Sequence, residues 1–266
     1  AAALIEQLRG LDDTRHAIER GRLAWSGGQL DEAIVALNEA IELAGVDPQP
    51  SRELAEIYRR EQLYDEAIAV MDRALERLAS PAAEASLPVG RYPTVATRRA
   101  QVEAYRLECQ VTLAFLQGFA GDPDAAVRSM KAVLAVDPDD VRALNYVGYT
   151  LAQADRDLDE AERLIRRALT LQPLDPAILD SLGWVLYRQG RYDEALTSLQ
   201  QSVDRMSDSA VIWLHLGEVH RALGDPSAAS DCYHRSIDNV DPDDPEEVAA
   251  GLEARAALDE LEADGP

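Results

Sequence analysis

The chain has 266 residues, 47% of them hydrophobic but only 5% aromatic, and a formal net charge of −23. Such an acidic balance argues against a nucleic-acid backbone as partner, because phosphate contacts need clustered cations. No apolar run approaches the roughly 20 residues that span a bilayer. The mixture is rich in Ala, Leu, Glu, Asp and Arg and poor in β-branched runs, which predicts helices almost throughout.

The opening, AAALIEQLRGLDD (1–13), fits the tail of a second helix from a preceding repeat. It has no initiator Met and no basic leader ahead of an apolar core, so a longer parent chain is expected. The compartment therefore stays open between cytoplasm and, behind a trimmed signal, periplasm or cell envelope. The next stretch, GRLAWSGGQLDEAIVALNEAI, places a small residue (Gly21), a turn glycine (Gly28) and a small alanine (Ala33) along two predicted helices. AEIYRREQLYDEAIAVMDRAL repeats the pattern with Ala55 and Ala67, so residues 14–81 read as two repeats.

Residues 80–93, SPAAEASLPVGRYP, then read as a loop, and 94–118 as one long helix that lengthens the start of the third repeat. The segment 82–106 is thus an insertion and helix extension: a neutral one, or a lid or docking element, since long loops in compact arrays are often functional.

Residues 107–243 read as four more repeats, with Ala114 and Ala126, Gly148 and Ala161, Gly183 and Ala195, and Gly217 and Ala229 as the small landmarks. The fourth has one extra residue in its turn. The chain closes on 244–266, a predicted capping helix with Val248, Leu252 and Leu261 toward the last repeat and acids outside.

The landmark alanines fall at 33, 67, 126, 161, 195 and 229, in steps of 34, 59, 35, 34 and 34. Small residues at fixed places let two antiparallel helices approach where a larger side chain would overpack. Leu182, Leu186 and Leu199 fall at helical spacings and fill between them. Asp-Pro pairs separate the repeats, since proline restricts the residue before it and starts a helix well. With its 34-residue period, Leu-Gly or an equivalent in the first helix and Pro138 and Pro173 closing repeats, the chain resembles tetratricopeptide repeat proteins over nearly its whole length. The last half is similar to bacterial members, among them envelope lipoproteins that act as adaptors for periplasmic proteases. The resemblance implies an all-α helix-turn-helix solenoid, a right-handed superhelix of about six repeats with a C-terminal capping helix.

Chemistry is not expected. No GxxxxGK, HExxH, CxxC or GxSxG occurs, His215 and His220 do not share a helical face, and the acids of DRDLDE (155–160) lack the glycine and the glutamate of a calcium loop. No enzyme activity, cofactor or metal is predicted, and Cys109 and Cys232 lie in separate segments and are not expected to pair.

In the resembled family the first helix of each repeat lines the concave face. The matching positions here are Arg52 and Arg59 in the second repeat, Phe115 in the third, Asn145 and Tyr149 in the fourth, and Asp180, Trp184, Tyr187 and Arg188 in the fifth. Leu214, Glu218 and Arg221 follow in the sixth. Asp180, Trp184 and Tyr187 share one helical stripe, and aromatics with Arg and Asn match the make-up of binding hot spots. The alternative is that Trp184 and Tyr149 pack against the neighbouring repeat. Asn145 and Asp180 could hydrogen-bond a peptide backbone. The arginines of the second repeat form a local basic patch for an acidic or C-terminal carboxylate end, or simply pair with Glu53 and Glu56. Some family members hold a C-terminal carboxylate with paired Lys and Asn; Ile18 and Arg22 occupy those places here, so that pattern is absent. The expected function is a protein-binding adaptor or scaffold, its partner a protein or peptide of unknown identity. The alternatives are a self-associating structural array or a non-catalytic module of a larger protein.

Overall fold

Fourteen helices and no strand make up the described part of the chain, which covers residues 2–242 and 244–264, with side chains from 13 to 242 and 244 to 263. Ala1, Asp243 and the last two residues, which belong to the predicted segments 1–13, 107–243 and 244–266, lie outside it. The computed structural model divides into two bodies, residues 1–133 and 134–266.

The N-terminal body holds α1 (Ala2–Ser26), α2 (Leu30–Ala44), α3 (Gln49–Arg60), α4 (Tyr64–Ala79), the one-turn α5 (Ala83–Ser86), α6 (Val95–Phe119) and most of α7 (Pro123–Val136). The C-terminal body holds α8 (Val141–Gln153), α9 (Leu158–Leu171), α10 (Pro176–Arg188), α11 (Tyr192–Val203), α12 (Ala210–Ala222), α13 (Pro226–Asp238) and α14 (Pro245–Asp264). Consecutive helices form hairpins, and the first members of successive hairpins pack side by side, α8 on α10 and α10 on α12. The all-α repeat architecture expected from the spacing is what the chain adopts.

The landmark alanines explain the period. Ala33, Ala67, Ala126, Ala161, Ala195 and Ala229 are all 0% exposed. Across from them stand the small residues of the leading helices. A Cβ on Gly183 would come within 2.5 Å of Leu199 Cγ, and one on Gly217 equally close to Tyr233 Cε1. The missing side chain is the space that a fully buried leucine or tyrosine fills.

Each hairpin turns the same way. The amide six residues into the turn donates back to the helix, Gln29 to Ala24, Leu63 to Tyr58, Asp122 to Gln117, Arg156 to Leu151, Arg191 to Leu186 and Asp225 to His220. That closure needs one residue in the left-handed region. Gly190 supplies it with φ +75°, whereas Gln62 and Asp155 are held there at φ 60° and 53° without being glycine.

Leading helices of the C-terminal body start on side-chain caps: Asp140 accepts from Ala143 N, Asp175 from Ala177 N and Ile178 N, and Ser209 from Ile212 N. Two buried serines close repeats from the other side. Ser202 donates to the carbonyl of Pro176 at 2.7 Å and Ser236 to that of Ala210 at 2.8 Å, the same bond one repeat later.

The long helix expected over 94–118 is α6, started by Thr94 and Thr97, each of which accepts from the other's backbone N–H. The segment before it is packed rather than loose, because Ala83 and Leu87 bury in one cluster with Leu78, Met71 and Val102. At the other end one expectation is corrected. Leu252 is 68% exposed, and α14 covers the last hairpin with Ala250, Ala254, Ala257 and Leu258. Residue 252 sits about 200° around the helix from 250, so it cannot share that face.

Candidate functional site

The leading helices of the C-terminal body place Tyr149 on α8, Trp184 on α10 and His215 on α12, and together with α14 they border an open cavity of about 400 Å³. Helical phase creates the arrangement. Residues that fill a hairpin point toward its second helix, and those on the leading helix's opposite side meet the next repeat or open space.

His215, which lines the cavity, has its Nδ1 2.8 Å from Asp180 Oδ1, and both residues are buried. The His215 ring stacks on Trp184 with centroids 4.1 Å apart, and Trp184 stacks in turn on Tyr187 at 5.0 Å. The indole is therefore held in place, with Arg188 5.8 Å from its ring. Arg188 also donates to the carbonyl of Gln153 and pairs with Asp155 at 3.4 Å.

Tyr149 accepts from Gln153 Nε2 at 2.8 Å and donates to Glu246 of α14 at 3.2 Å. Glu218 collects three donors: Tyr187 OH at 3.2 Å, Tyr233 OH at 2.7 Å and Arg221 at 2.6 Å. Burial first, and then the nearby carboxylates, push the Tyr149 hydroxyl well above its ordinary range; burial and Glu218 raise that of Tyr187. These phenols stay protonated donors at neutral pH. Asn145 Oδ1 and Trp184 Nε1 are shielded from solvent and have no hydrogen-bond partner among the described residues. Glu247, one residue on from Glu246, binds Ser209 Oγ and the Ala210 amide, which fixes the start of α14 against the start of α12.

The remaining sequence-predicted residues lie in the N-terminal body, around a separate cavity of about 650 Å³ lined by Arg52, Arg59, Phe115 and Phe119. Arg52 pairs with Glu108 at 2.9 Å, and Arg59 and Arg60 share Glu56 at 2.8 and 2.7 Å. Burial works against ionised Glu56, but the two arginine hydrogen bonds outweigh it and its carboxyl sits below the usual range. Arg59 lies over the Phe119 ring at 5.1 Å, and Phe115 is 38% exposed. Glu56 is thus a partner of Arg59 and Arg60 as expected, whereas Glu53 pairs with Arg22 and Arg52 with Glu108. Asp180 likewise spends an oxygen on His215.

His215 and Glu246 were not among the residues the sequence pointed to. A usable signal existed for contacts between repeats: Arg22 with Glu53 and Tyr187 with Glu218 are both 31 residues apart. No group of three or more His, Cys, Asp or Glu that could hold a metal occurs among the described residues. No described helix is long and apolar enough to cross a membrane.

Comparison with known proteins agrees with this architecture. A family model described as tetratricopeptide repeat matches residues 18–83 and 113–176, and a second with the same description matches 186–258. The TPR repeat-containing protein PA4667 of Pseudomonas aeruginosa is 46% identical over 91 residues, 34% of this chain and 15% of that protein. The human tetratricopeptide repeat protein 7A is 37% identical over 93 residues, 35% of this chain and 11% of that one. The matched stretch is thus a small part of either relative. Among solved structures, PilW, a type IV pilus biogenesis factor, superposes with a TM-score of 0.61 at 18% identity, covering 85% of this chain and 93% of its own. A tetratricopeptide repeat protein of Parabacteroides merdae gives 0.61 at 15% identity, covering 96% and 94%. At such identities the likeness is one of fold.

Proposed function

The chain belongs to the tetratricopeptide repeat family, and from that premise we propose that it is a protein-interaction scaffold whose C-terminal body docks a partner polypeptide on its leading helices. Trp184 and Tyr149 are the anchors, and Tyr187 and Arg188 flank them.

The observation that carries this reading is the cavity of about 400 Å³ walled by Tyr149, Trp184, His215 and α14. A stack of rings fixed by a buried Asp180–His215 bond costs little further ordering when a partner arrives, and ordering is a main expense of association. Aromatic anchors of this kind dominate the binding energy of many interfaces. In the N-terminal body the arginines are tied to glutamates, so Phe115, Arg52 and Arg59 form a secondary contact area in this proposal.

The test is Trp184→Ala. The variant is expected to keep its helical circular dichroism while a partner captured by the parent chain binds about 30-fold more weakly, on the order of 2 kcal/mol. Unchanged affinity in a folded variant refutes the assignment.

A further inference from the structure

The charge around the aromatic cavity defines the chemistry of what enters it. Four carboxylates line it, Glu218 from α12 and Glu246, Glu253 and Glu260 from α14, against one guanidinium, Arg221. Arg221 is already taken by Glu218 at 2.6 Å and reaches Glu260 at 3.4 Å. Glu246 meets a neutral phenol, Tyr149, and Glu253 has no ion-pair partner among the described residues. Between these acids α14 turns only alanines toward the cavity, Ala249, Ala250, Ala256 and Ala257, so the carboxylates stand above a low apolar floor. Trp184 also lines the cavity, while its Nε1–H is shielded from solvent and has no acceptor among the described residues.

We propose that the occupant of this cavity is a short, extended, basic peptide segment, its Lys or Arg side chains set against Glu246 and Glu253 and its apolar parts against Trp184 and the alanine floor. This rests on the docking face proposed above and adds the partner's chemistry to it. An acidic segment would meet net repulsion from the lining carboxylates, and unmatched charge at an interface is penalised. A cavity of about 400 Å³ lies in the range of small-ligand sites, so it accepts side chains and a strand of backbone rather than a whole helix.

Spacing sharpens the proposal. Glu246 and Glu253 are seven residues apart on α14, about 10.5 Å along the axis and nearly on one stripe. An extended chain of the polyproline-II kind returns a side chain to the same face every third residue, after about 9.3 Å. The segment that fits best therefore carries basic residues three apart.

A displayed library of random 12-residue peptides, selected on the intact chain at moderate salt, tests this. Expected is enrichment of Lys or Arg at three-residue spacing. Selected peptides should bind at least 10-fold more weakly to the double variant Glu246→Gln with Glu253→Gln. They should bind unchanged to a control that removes the same charge from α13, Asp231→Asn with Asp238→Asn. If selected peptides lose binding in Trp184→Ala but show no basic enrichment, the docking face stands and the basic partner is overturned. If basic peptides bind and the control weakens them as much as the double variant does, attraction is to general charge and the site is overturned. A library that yields no binder counts against both readings.

Discussion

In the N-terminal body the side chains that reach the leading-helix face answer one another: Arg52 ends on Glu108, Arg59 and Arg60 on Glu56, and Arg22 on Glu19 and Glu53. In the C-terminal body the corresponding helices present a stack of Tyr187, Trp184 and His215 beside carboxylates that outnumber the cations. The backbone repeat is the same in both. The difference lies in where charges find partners, and exposed pairs of the first kind contribute only about 0–1 kcal/mol each. A face whose charges are satisfied within the chain has little left to offer a ligand, whereas an uncompensated one next to rigid aromatics does.

Several substitutions break or sharpen that contrast. The largest effect falls on the packing both bodies share. Tyr233→Ala empties the space beside Gly217 and leaves Glu218 without one of its donors; a loss of about 4 kcal/mol is expected, against about 3 kcal/mol for Leu37→Ala beside Gly21 in the N-terminal body. Urea unfolding measures both. Equal, small losses would mean the hairpins are not held by this interlock.

Next comes binding. Trp184→Ala should weaken a peptide partner by about 2 kcal/mol, and Phe115→Ala by about 0.5 kcal/mol or less. Titration calorimetry with one labelled peptide compares them, and the reverse order would move the docking face to the N-terminal body.

Turn chemistry gives a smaller and opposite change in each body. Gln62 and Asp155 occupy the left-handed region where other repeats have glycine. Replacing either with glycine is expected to stabilise its own body by about 1 kcal/mol, a rise in melting temperature that a thermal scan would show. A fall would mean that the Gln62 or Asp155 side chain contributes more than its backbone strain costs.

The smallest effect concerns the thiols. Burial pushes Cys109 up to about 12 and Cys232 up to about 11. Raised values mean that the protonated form is the one the fold favours. Their contribution is intact below about pH 8.5, where an unfolded thiol begins to ionise, and is lost as pH climbs toward those values. The folded chain should resist a thiol reagent at pH 8 and react fully once denatured. Rapid reaction of Cys232 in the folded chain would show that α13 opens readily.

Much of this architecture could be read from residue spacing, because packing enforces it. Ala33, Ala67, Ala126, Ala161, Ala195 and Ala229 recur because each has no room beside it. Leu252 shows the limit. Hydrophobicity alone placed it inward, but α14 has no repeat partner to fix its phase, and a face of alanines won. Of the residues that spacing assigned to the leading-helix face, Tyr149, Trp184 and Glu218 line the cavity. The site's wiring was less legible. Asp180 pairs with His215 35 residues away, and Tyr149 with Glu246 97 residues away. The first separation is close to one repeat period, but the second depends on how α14 is laid on the repeats, which no local pattern encodes.

The central claim is that a partner lies on the leading helices of the C-terminal body. A library-selected peptide carrying a benzophenone, cross-linked to the intact chain and mapped by mass spectrometry, tests it most directly. Adducts on α8, α10, α12 and α14, concentrated around Tyr149, Trp184 and Glu253, are the result this account predicts. Adducts on the second helices α9, α11 and α13, or throughout the N-terminal body, would contradict it.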